Sequence, residues 1–128
     1  MVNYILVLDD TRSIEDVQKM TPEPFTRLAG LPIVLCKDFK EAQMQTAKSD
    51  MAKSGALAAH ICFDHNLYGS KNHMNFTGLD FANWLCHYDE CRTQVLTDDF
   101  TFTTHTTDPQ AAKEITEIML EHQDDKKN

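Results

Sequence analysis

The segment Asn3–Leu8, Asn-Tyr-Ile-Leu-Val-Leu, is nearly continuous in apolar and β-favouring residues and stops at two aspartates. That is the pattern of a strand buried on both faces. Beyond it, Ser13 can cap a short helix through Met20, after which Pro22, Pro24 and Gly30 predict a loop. A second apolar run, Ile33–Cys36, precedes Asp38, which is placed to cap a helix carrying Phe39, Ala42, Ala47 and Met51 at roughly helical spacing. His60–Phe63 reads as a third strand, again stopping at an aspartate, Asp64. The polar loop from Asn66 to Asn75 follows it, and is expected to move.

Thr77 can cap a helix in which Phe81, Ala82, Leu85 and Tyr88 repeat at three and four residues. Phe100–Thr104 alternates aromatic and threonine as a strand does. Asp108-Pro109 then supplies a cap and first-turn proline for a helix through Ile115, Ile118 and Met119. The polar tail from Asp124 to Asn128 is expected to fray, leaving residues 1–123 as the domain. Strands alternating with helices predict an α/β fold: helices on both faces of a short, roughly four-stranded parallel sheet with right-handed crossovers. Ligands of such sheets gather outside the carboxyl ends of the strands, where Asp9, Asp10, Asp64 and His105 all fall.

A chain of 128 residues, 41% of them hydrophobic, suits one domain with an ordinary core. The apolar start is short and lacks a basic lead, and no stretch approaches membrane-spanning length, so a soluble cytoplasmic protein without a membrane partner is expected. The four cysteines lie in or beside apolar segments and read as free thiols. Neither Cys86-His87 with Cys91 nor His60 with Cys62 has the spacing of a tetrahedral zinc site. The formal charge of −8 argues against a nonspecific grip on nucleic acid, which needs basic surface.

Two adjacent carboxylates after one buried strand and a third after another repel in a low-dielectric crevice unless a cation compensates or one holds a proton. A hard divalent ion would serve, and magnesium commonly keeps positions open for phosphate oxygens. Helix capping by Asp9 and Asp10, with Asp64 opening a turn, explains the same residues without a metal. Arg12 could bind a phosphate or simply balance the acidic rim. His65 and His105 could move a proton or bind phosphate, or be hydrogen-bonded structural histidines. Thr77-Gly78 reads as a helix cap, to which anion binding at the helix start would be an addition.

Leu8-Asp9-Asp10-Thr11-Arg12, Asp64-His65-Asn66-Leu67, Thr77-Gly78-Leu79-Asp80 and His105-Thr106-Thr107-Asp108-Pro109 occur in that order. Together they resemble the cyclic-phosphate-processing receiver family, divergent relatives of response-regulator receivers, over roughly Asn3 to Met119. The resemblance implies a flavodoxin-like receiver fold. It further implies Asp9 and Asp10 as an acidic pair for magnesium, Asp64 as phosphoacceptor and the Asn66 carbonyl as a metal ligand. Arg12, His65 and His105 match the divergent family's own pattern. Asn66 stands where the family has a second aspartate, and Asp108 where it has asparagine. No fifth strand with the phosphoryl-binding lysine of ordinary receivers is expected after the last helix.

The first functional expectation is therefore a metal-dependent phosphate-handling domain, a magnesium phosphoesterase or phosphotransferase acting on cyclic phosphates, phosphoesters or an RNA end. Asp64 and its neighbours Arg12, His65 and His105 would carry the chemistry. The second is a non-catalytic regulatory module that binds a metal, a phospho-ligand or a protein partner and moves the loop from Tyr68 to Asn75. A small two-metal nuclease is a third, disfavoured by the negative charge.

Overall fold

The computed structural model describes residues 2–67 and 76–127. The loop segment 68–75, to which the second expectation assigned movement, lies outside the described residues. Four strands, β1 (Tyr4–Leu8), β2 (Ile33–Cys36), β3 (Ala58–Phe63) and β4 (Leu96–Thr104), form one parallel sheet in the order β2-β1-β3-β4. The helices are α1 (Ile14–Met20), α2 (Pro22–Arg27), α3 (Phe39–Ala47), α4 (Asp50–Lys53), α5 (Gly78–Cys91) and α6 (Pro109–Lys127). The expected three-layer α/β arrangement is the one observed.

Alternation along the strands divides the core. Leu6, Leu8, Ile61 and Phe63 face α3, α5 and α6, where Phe81, Leu85, Ile115 and Met119 cover them. Ile5, Val7 and Cys62 face α1 and α2, against Val17, Phe25 and Leu28. All five residues of β1 are buried, as a central strand covered on both sides requires. On this same face of β3 and β4 the pattern turns polar at His60, Thr101 and Thr103. The His60 ring nitrogens pair with Thr101 Oγ1 at 2.6 Å and Thr103 Oγ1 at 3.1 Å, and Arg27 donates to Thr101 Oγ1 at 2.9 Å. Burial, then the Arg27 charge, pushes the His60 ring down to about 4, so it stays neutral between its hydroxyl partners at neutral pH.

Local capping agrees with the sequence at Ser13, Asp38 and Thr77, each of which accepts from a backbone N–H of the first turn. Asp108 likewise accepts from the Gln110 and Ala111 amides at 3.1 Å. Two expectations need correction. Pro22 does not end helical structure; it starts α2, because at the first helical position its missing N–H would be unpaired anyway. Gly30, at φ +96°, provides the left-handed turn after it.

The tail from Asp124 does not fray: α6 continues to Lys127. Lys126 Nζ donates to Asp89 Oδ2 at 2.7 Å, as does His122 Nε2 at 2.8 Å. Asp89 Oδ1 meanwhile accepts from the Val95 and Leu96 amides at 2.8 and 2.9 Å. Burial alone would raise this carboxyl, but these donors, Lys126 foremost, hold it below the ordinary carboxylate value. One carboxylate thus ties α5, the start of β4 and the end of α6 together. Asp89→Asn should destabilise the fold by roughly 3 kcal/mol, because Lys126 and His122 lose their charged partner. Urea unfolding measures the loss, and amide exchange should show it first in the last turns of α6.

Candidate functional site

Parallel register brings the site together. Leu8 of β1 is opposite Phe63 of β3, and Phe63 is opposite Thr104 of β4. The next residue on each strand is therefore Asp9, Asp64 and His105, in one row. The ladder hydrogen bonds carry on into that row: Asp64 N–H donates to Leu8 O at 3.0 Å and His105 N–H to Phe63 O at 2.9 Å. One ligand atom from each of the three side chains lies within 4.8 Å of the others. All three residues are buried, Asp9 completely.

Asp9 is saturated by the protein itself. Its Oδ1 accepts from the Thr11 and Arg12 amides at 2.9 Å each and from Thr11 Oγ1 at 3.4 Å. Its Oδ2 accepts from Arg12 Nη1 at 3.1 Å and His105 Nε2 at 2.8 Å. Burial pushes this carboxyl up, but the donors from His105, the Arg12 and Thr11 amides and the Arg12 side chain together outweigh it and hold it well below the usual carboxylate range.

Asp64 is the incomplete member. Its Oδ1 accepts from the His65 amide at 2.9 Å, while its Oδ2 lies 3.7 Å from Arg12 Nη1, beyond a proper hydrogen bond. Burial and the nearby charge of Asp9 raise this carboxyl, against the His65 amide, His105 and Arg12. Two carboxyls of the same chemistry are thus driven in opposite directions.

The remaining expected residues take varied places. Asp10 is partly buried and joins no group of three metal-ligating side chains among the described residues. Asn66 is exposed beside Asp64. His65 Nδ1 and His105 Nδ1 are buried without a hydrogen-bond partner among the described residues. Arg12 pairs with Asp9, so of its two readings the charge-balancing one is what the geometry displays. The Thr77 hydroxyl accepts from the Asp80 amide, the Thr77 amide donates to Asp80 Oδ2, and the Gly78 amide donates to His65 O at 2.8 Å. Those groups are committed within the fold, and Thr77-Gly78 has no such donor left for an anion. What Gly78 supplies is room: a Cβ there would fall onto the Asp64 carbonyl oxygen. A surface groove of about 730 Å³ between β2 and α3, bordered by Val34, Cys36 and Met44, includes none of these residues.

The direct pairing of Asp9 with His105 escaped the sequence reading. The only available signal was that both follow strands, and registers are invisible without the sheet.

A family match decides what this geometry belongs to: the description "Cyclic-phosphate processing Receiver domain" fits residues 4–121. The chain is a member of that receiver family. The bacteriophytochrome response regulator AtBRR has a similar structure, with a TM-score of 0.58 and 15% sequence identity over 94% of this chain and 77% of that one. At that identity the likeness speaks for the fold alone. No curated protein matches the chain.

Receivers of this type imply magnesium, and the donor chemistry of the Asp9–Asp64–His105 group does not fit it. Magnesium wants oxygen ligands in octahedral array. The grouped donors are two carboxylates and an imidazole, Asp9 has every oxygen engaged, and a guanidinium reaches both carboxylates.

Two stability predictions follow from the contrast between the aspartates. Asp9→Asn should cost at least roughly 3 kcal/mol, since Arg12 and His105 lose a buried anion, whereas Asp64→Asn should be neutral or stabilising at neutral pH, where it removes a carboxylate that burial penalises. The pH signs are opposite. A depressed carboxyl such as Asp9 contributes stability above the ordinary value of 3.8 that is lost as pH falls below it. A raised one such as Asp64 disfavours the fold once pH climbs through its folded value. Chemical denaturation of both variants between acid and neutral pH checks magnitude and sign. Separately, Gly78→Ala should push α5 away from the Asp64–His65 backbone and destabilise by about 2 kcal/mol or more, read from the thermal midpoint.

Proposed function

We propose that this receiver domain handles a phosphate group at Asp64, on a cyclic phosphate, a simple phosphoester or an RNA end. The observation that carries the reading is the inequality of the two buried aspartates: Asp9 is saturated, while among the described residues Asp64 Oδ2 has only the Arg12 guanidinium, 3.7 Å away. An incoming phosphate oxygen would find the Arg12 guanidinium, a planar fork suited to that anion. Asp64, raised by burial, is suited to take the proton of a water that attacks phosphorus as the P–O ester bond breaks and the leaving oxygen is protonated. His105 is held by Asp9 through Nε2 with its side chain fully buried, so its part is to position Asp9 rather than to meet substrate. His65, adjacent to Asp64, is the remaining candidate for proton transfer. The magnesium implied for Asp9, Asp10, Asp64 and Asn66 takes no part in this scheme.

A second reading is favoured by one contact. The Gly78 amide holds the His65 carbonyl and leaves no room for a Cβ, so α5 is seated directly on the Asp64–His65 backbone. A phosphate or protein ligand at Asp64 would then shift α5 without being turned over, and the domain would be a regulatory module.

Incubation with cyclic nucleotide phosphodiesters and phosphomonoesters, followed by phosphorus NMR, tests both. Turnover by the wild-type chain that falls about a hundred-fold or more in Asp64→Asn supports the enzyme. Saturable binding without turnover, weakened in Arg12→Gln, supports the module. Neither binding nor turnover would sink the phosphate reading altogether.

A further inference from the structure

The mismatch between the implied magnesium and the donors present has a specific cause in Arg12. Its Nη1 lies 3.1 Å from Asp9 Oδ2 and 3.7 Å from Asp64 Oδ2, so one nitrogen serves both carboxylates. Its backbone N–H also donates to Asp9 Oδ1 at 2.9 Å. Asp9 therefore grips the residue by main chain and side chain together, which fixes the guanidinium where it is.

An entering divalent ion would meet two obstacles. To bind through Asp9 it would have to strip Arg12 or His105 from that carboxylate, because neither Asp9 oxygen is without a donor. It would also stand beside a permanently charged guanidinium, against two largely buried carboxylates. We infer that Arg12 is a built-in counter-cation that replaces the metal at the Asp9–Asp64 pair and excludes magnesium while it is in place. The inference concerns the free protein and stands whichever phosphate compound, if any, the domain handles.

The consequence is a site whose charge balance is independent of metal supply. Removing the guanidinium would leave two facing carboxylates that need a cation or a proton. Arg12→Gln should therefore acquire what the native chain lacks.

The experiment uses the full chain. Thermal midpoints of wild type, Arg12→Gln, Arg12→Lys and Asp64→Asn are followed over a magnesium chloride titration at constant ionic strength. Water-proton relaxation with manganese is measured in parallel. The wild type and Arg12→Lys should be flat, and Arg12→Gln should show a saturable rise of the form mass action gives for a bound ligand. If Arg12→Gln is unfolded without metal, recovery of its structure by magnesium supports the inference and failure to recover overturns it. A saturable rise in the wild type that disappears in Asp64→Asn also overturns it, as does manganese relaxation showing an ion bound at that site. A folded Arg12→Gln indifferent to both ions removes Arg12 as the excluding group and overturns it equally.

Discussion

Two carboxylates buried side by side are the constraint around which this end of the molecule is built. Carrying a charge out of water costs several kcal/mol even after relaxation, and a like charge alongside adds to the cost. The chain offsets it locally. β1 ends in a turn whose Thr11 and Arg12 amides point at Asp9, Arg12 folds back over the pair, and β4 delivers His105 from the far side. Each of these requires the others. Without the β1–β3–β4 register His105 would not meet Asp9, and without the turn the guanidinium would not reach Asp64.

The same sheet shows how a four-stranded receiver manages its last edge. Among the described residues β4 pairs only with β3, and its two charged positions, Asp98 and Asp99, are exposed, which discourages another strand from joining. On the face toward α1 and α2, Thr101, Thr103, His60 and Arg27 satisfy one another. An apolar surface there would demand cover; this polar network does not. The opposite face is closed by α6, whose end is secured through Lys126 and His122 on Asp89.

What could be read from the sequence was whatever depends on neighbours along the chain. Buried strands that stop at Asp9 and Asp64, caps at Ser13, Asp38, Thr77 and Asp108, and the amphipathic face of α5 all declare themselves within a few residues. Pro22 misled because a proline that starts a helix and one that ends it look alike until the preceding Thr21 is seen to close α1. Lys126 misled because its partner is 37 residues away. The site was legible as a set of strand ends and illegible as a set of bonds: which acid is saturated, and which histidine nitrogen is spent, depends on register and on Arg12's path.

That distinction determines which residues are open to chemistry. Asp9 and Asp64 are the same amino acid, both buried one residue past neighbouring strands, yet among the described residues five donors surround one while a single amide and the more distant Arg12 guanidinium serve the other. Pairs of titratable groups pushed apart by their surroundings are how a site assigns different roles to identical side chains. A saturated carboxylate with a depressed pKa makes a poor nucleophile and a poor base, because every lone pair is occupied and its charge is already compensated. Its use is to hold Arg12 and His105 still. Asp64, short of one partner and raised by burial, is left as the carboxylate with something still to bind.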